Sequence, residues 1–185
     1  MPKDFPGDPA PDAVPPLPIR EPRLLELYAY WRRVAAPRGL PRRKDLDPVD
    51  IPRLLPHVML VEAQPDGRYR YRLIGTENVR EHGFDATGQY LDEVLPGPEY
   101  RAHVLSLYDR CVRERRALYS ESLFLSPTGY QAQRHLKVLF MPLSEDGKTV
   151  NMVLVMQLFA FIDSAVRERH FLDAPPHREI LHAAL

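Results

Sequence analysis

The feature that most constrains this chain is a change of period inside Arg68–Gly97. Tyr69, Tyr71 and Leu73 alternate with Arg68, Arg70 and Arg72, which predicts a strand with one apolar and one solvated face. At Gly75 the alternation stops. Thr76 is a good N-cap for a short polar helix, and Gly83 stands where a left-handed residue would end it. Gly88 then releases the chain into the stretch QYLDEVL, and Pro96, Gly97 and Pro98 break that piece before a long amphipathic segment begins.

The rest of the chain supplies what this stretch must pack against. Leu24, Leu27, Tyr28, Trp31, Val34 and Ala35 recur at three- and four-residue spacing, so residues 21–38 predict an amphipathic helix that Pro37 and Gly39 end. Its apolar stripe needs a partner, either its own domain or a second subunit, and the residues alone do not decide between them. Asp47-Pro48 and Asp50 predict a short helix over Pro48 to Leu55. Val58 to Ala63 reads as a strand and Pro65-Asp66-Gly67 as the hairpin turn into Arg68. Glu99 to Arg116 predicts the long helix, with Val104, Tyr108, Cys111 and Val112 on one stripe, Leu105 and Leu107 beside it, and Tyr100 and Arg101 at its start.

Three strands follow, at Tyr119 to Leu125, Tyr130 to Leu143 and Thr149 to Phe161. On the second, Ala132, Arg134, Leu136, Val138 and Phe140 share one face, expected to be the inner one. The third is apolar on both faces, with Met152, Leu154, Met156 and Leu158 on one and Val153, Val155, Phe159 and Phe161 on the other. A strand apolar on both sides has to be covered on both sides, and the N-terminal helix is expected to dock there. The fold class is therefore α+β: a five-stranded antiparallel sheet with short helices and one long helix on one face, plus an amphipathic N-terminal flanking helix. The organisation reads as a disordered proline-rich tail at 1–20, the flanking helix at 21–38, the domain proper at 39–162 and a C-terminal extension, expected as a frayed helix, at 163–185.

Composition narrows the function classes. Lysine plus arginine equals aspartate plus glutamate, 25 each, which argues against an electrostatic footprint for nucleic acid or an anionic membrane. Arg32-Arg33 and Arg42-Arg43-Lys44 read as solvated faces. The single cysteine, Cys111, excludes an internal disulfide and reads as a small buried hydrophobe. No apolar run has the length of a membrane span or the flanks of a signal peptide, so a cytoplasmic location is expected. There is no phosphate-binding loop, His-Glu-x-x-His, zinc-type cysteine pair or Gly-x-Ser-x-Gly elbow, so no catalytic or metal residue is assigned and an enzyme is not expected.

The order of parts resembles the PAS domain. The matching residues are Tyr71-Arg72-Leu73-Ile74-Gly75-Thr76 at the strand end and Gly83-Phe84-Asp85-Ala86-Thr87-Gly88, with Leu46-Asp47-Pro48 and Ile51-Pro52-Arg53-Leu54-Leu55-Pro56 upstream. The set is similar to a group of stand-alone bacterial PAS proteins and covers about Trp31 to Phe161. The resemblance implies a sensory or regulatory module of bacterial signal transduction, acting by protein–protein interaction. It implies a homodimer through the flanking helix, with Leu24, Leu27, Tyr28, Trp31, Val155 and Phe159 as the expected interface to a second copy or to another signalling protein. It also implies an interior cavity that can take a small metabolite.

For that cavity the candidate residues are Arg134, Arg101, Tyr108, Tyr71 and Met156, the two arginines suggesting an anionic group. The opposing reading is that each arginine meets an internal acid such as Glu77, Glu81, Asp92 or Glu121. No cofactor is firmly indicated. Haem would need a histidine on the long helix, and His103 falls off the apolar stripe, expected to face solvent. The runner-up function is a metabolite- or haem-binding protein, or an enzyme of unfamiliar type, using the same cavity.

Overall fold

A computed structural model describes residues 19–35, 39–125, 133–161 and 177–184, with 123–125, 133–134, 160–161 and 177–184 described as backbone only. Helix α1 spans Pro22–Ala35, as its apolar spacing predicts. Strand β1, Val58–Ala63, turns through Gly67, whose φ of 84° a glycine adopts without strain, into β2, Tyr69–Ile74. Helices α2 (Thr76–His82), α3 (Leu91–Val94) and α4 (Pro98–Glu114) follow, then strands β3 (Leu118–Leu125), β4 (Gln133–Leu143) and β5 (Met152–Phe161).

The sheet is antiparallel, in the order β2-β1-β5-β4-β3, and a sixth strand, β6 (His177–Ala184), pairs with β3 at its far edge. The end of the chain is thus a strand where a frayed helix was expected. Lying against β3 from Leu118 to Phe124, it satisfies a row of backbone groups that an open edge would leave to solvent.

Two local departures have simple causes. The expected Pro48–Leu55 helix resolves into separate 3-10 turns, Pro48–Asp50, capped by the Asp47 carboxylate on the Val49 amide, and Leu55–His57. Pro52 and Pro56 remove the amides a continuous helix would need. On β2 the alternation fails at Leu73, which is 41% exposed, because a bulge sets Leu60 opposite Leu73 but Val61 opposite Tyr71. One extra residue turns the end of the strand over.

Helix α1 lies across the outer face of the sheet. The Trp31 Nε1–H donates to the Pro142 carbonyl at 3.1 Å, and Tyr28 stacks beside it at 6.1 Å. Leu24 and Leu27 have no exposed surface, and burial of each contributes about 1.5–3 kcal/mol. The Tyr30 hydroxyl ties the helix to the following turns, accepting from the Asp47 amide at 2.7 Å. Leu24, Leu27, Tyr28 and Trp31, expected to meet a second copy, are therefore buried inside one chain. What α1 leaves outward is Pro22, Arg23, Glu26, Ala29, Arg32 and Arg33.

Candidate functional site

Helices α2, α3 and α4 cover the inner face of the sheet. Alternation sends Met59, Tyr71, Ser120, Ser122, Leu136, Val138, Phe140, Val155 and Gln157 toward them, and a small cavity of ≈ 40 Å³ remains between sheet and helices. At roughly 10–15 Å³ per water centre, it has room for about three waters.

Polar groups interrupt an otherwise apolar lining. Ser120, Ser122 and Gln157 are 2%, 4% and 8% exposed. Three phenols, Tyr71, Tyr100 and Tyr108, border the same space with His82 and His103. Burial pushes the Tyr100 phenol up to about 12, and raises Tyr71 and Tyr108 further, Tyr71 also through its nearness to Tyr100. All three therefore stay protonated at neutral pH. Desolvation by the groups packed against one side of His82 holds it below the ordinary imidazole range, so it too is neutral, although the ring still reaches solvent. Its Nε2 lies 3.4 Å from Gln157 Nε2, and its ring meets Phe159 edge-on. Tyr108 stands edge-on to Phe140 and against Tyr69, whose hydroxyl donates to Asp109 at 2.7 Å.

Local sequence explains how these groups are held. Gly75 lets the chain pass from β2 into α2 where a Cβ would stand 2.3 Å from the Pro56 carbonyl oxygen, and its amide donates to Val58. The N-cap of α2 is thus Gly75, one residue before the Thr76 expected for it, because backbone contact decides the start. Gly83, in the left-handed conformation with φ 82°, ends the helix as expected. Arg68 stacks on Tyr90 at 3.7 Å and pairs with Asp92 at 2.9 Å and Glu93 at 2.6 Å, which fixes α3 to β2.

Tyr71 and Tyr108 line the cavity as expected. Met156 does not: it faces outward with its cross-strand partner Leu139, both fully buried on the α1 side. Val155, expected at an outer interface, lines the cavity, and Phe159 lies on the same inner face, half-buried against His82. The two faces of β5 lie the other way round from the expectation, because a strand apolar on both sides carries no inward signal.

Arg101 is used elsewhere, its guanidinium donating to the Leu95 carbonyl at 3.1 Å. The acids proposed as partners are also engaged: Glu77 with Arg80, Asp92 with Arg68, and Glu121 with His135, 2.5 Å away. The Arg134 side chain lies outside the described residues. His103 is half-buried and borders the cavity, not solvent, because the buried sector of α4 centres near Cys111, about 80° from it on the wheel.

Sequence reasoning missed a second feature, on the outer side of α2. Arg23, Pro56, His57, Asn78, Arg80 and Phe159 border an open groove of ≈ 400 Å³. Arg23 Nη1 lies 3.0 Å from His57 Nε2; since a guanidinium only donates, that nitrogen accepts, and burial with the Arg23 charge keeps His57 neutral. Asn78 is 1% exposed, and neither its amide nitrogen nor its oxygen has a hydrogen-bond partner. Each such orphan costs about 1–3 kcal/mol. Nothing in its sequence context, two residues into a polar helix, points to burial.

Among the described residues no three histidine, cysteine or acidic side chains gather as a metal site, and no helix is long and apolar enough to cross a membrane. No curated protein matches the chain. Among solved structures, the PAS domain from Bordetella pertussis BvgS is similar at 12% identity, covering 67% of this chain and 94% of that one with a TM-score of 0.47. A family model described as the PAS domain matches residues 19–157, the span from just before α1 to Gln157 on β5, and the chain therefore belongs to the PAS domain family.

Proposed function

We propose that this chain is a regulatory module of signal transduction that acts by binding another signalling protein, with occupancy of the interior cavity as its signal. Family membership supports the general part, since PAS domains are sensory modules as a rule and not enzymes. The observation that carries the specific part is the polar lining of the inner face. Ser120, Ser122 and Gln157 are buried polar side chains beside the open space, where their hydroxyls and amide can hydrogen-bond to a ligand.

With Arg101 turned to Leu95 and the phenols and His82 neutral, the lining suits an uncharged hydrogen-bonding molecule better than the anion first expected. A partner or a second copy would meet the outward side of α1, around Glu26, Arg32 and Arg33, because the apolar side is already buried. Native mass spectrometry on protein from its own host tests both parts. Extra mass lost on denaturation supports the ligand; a bare species points to a module working through its surface alone.

A further inference from the structure

We infer that α2 is the door of the interior cavity, held shut with the Asn78 carboxamide buried and unpaired, and that the groove beyond it is the way in. The inference rests on the reading of the cavity as a ligand chamber, but its test needs no ligand.

Asn78 and His82 are one turn apart and so share a face of α2. His82 borders the interior cavity, Asn78 borders the outer groove, and Phe159 touches His82 while lining the groove. Together they form the wall between two spaces, one of ≈ 40 Å³ inside and one of ≈ 400 Å³ outside. Closing the wall leaves both polar atoms of Asn78 without a partner and too enclosed for water to reach. Any outward movement of α2 restores their hydrogen bonds, so the closed state is penalised and the open state is not. A well-packed leucine of similar size would remove that penalty.

The helix is also built to move as a unit. It has seven residues, is flanked by Gly75 and Gly83, and is followed by Gly88. Toward β5 it makes a long polar approach, His82 to Gln157 at 3.4 Å, beside a ring edge. The Gly75 end is wedged against the Pro56 carbonyl, so the His82 end is the one that swings.

Hydrogen exchange on the full chain tests this. In the wild type, the Val79 and Gly83 amides, bonded within and at the end of α2, should exchange at least about tenfold faster than the central amides of β1 and β5. Asn78→Leu should slow the α2 amides about tenfold and raise Tm, and Asn78→Asp, which adds a charge that closure must bury, should speed them. Unchanged α2 exchange in either variant overturns the inference, as does a lower Tm in a folded Asn78→Leu protein. If the exchange behaves as stated but no small molecule is ever retained, the door stands and the chamber reading fails.

Discussion

The two faces of the sheet are built to opposite specifications. On the outer face, Leu139, Met141, Leu154 and Met156 are all at most 2% exposed, and the Trp31 indole and the Tyr30 hydroxyl that α1 brings both have their partners. On the inner face, helices of four, seven and seventeen residues enclose serines, a glutamine, a histidine and phenols around space left open. The first arrangement maximises apolar burial and the second gives some of it up. The difference assigns stability to one side of the sheet and adaptability to the other.

The largest effect should come from the outer face. Trp31→Ala removes a buried ring and leaves the Pro142 carbonyl unpaired, so urea denaturation should show a loss of about 3–5 kcal/mol. If light scattering shows a change of mass with the unfolding midpoint intact, α1 is an intersubunit element and the contrast between the faces is misassigned. An inner-face change should do far less: Ser122→Ala should shift stability by no more than about 1 kcal/mol in either direction while weakening retention of any ligand seen by native mass spectrometry.

The smallest effect is a pH dependence carried by two histidines, His82 at the cavity and His57 at the outer groove. Folding holds the His82 and His57 imidazoles below their ordinary value of 6.5, so the unfolded chain takes up protons first as pH falls. Stability is fully present above about pH 6.5 and declines as pH drops through the depressed values. Replacing His82 with phenylalanine should flatten part of that decline in Tm measured against pH. A slope identical to wild type would mean that folding does not shift the His82 imidazole.

The same contrast explains what the sequence could reveal. Spacing is a local property, so α1, β1, the Gly67 hairpin and α4 were readable, each from the period of its own residues. The cavity wall is not local. His82 and Gln157 meet across 75 positions, and nothing near either one announces the other. Leu73 turns outward through a bulge set by its partner strand, and β5 could not signal which of its two apolar faces was the inner one. Tyr71 and Tyr108 were found because each lies on an amphipathic element with a clear inward side. The strand of Met156 has none, and the burial of Asn78 leaves no mark in the sequence because a polar residue in a polar helix looks solvated.

Trp31 is the chain's single tryptophan, and its indole is 7% exposed on the outer face, with its N–H occupied. The protein therefore carries an intrinsic fluorophore that watches one side of the sheet and is blind to the other. Its emission will redden when α1 leaves the sheet, and will hold its wavelength while the cavity fills or α2 swings. A titration that leaves the indole band unmoved says nothing against binding, and the tyrosine signal is the place to look.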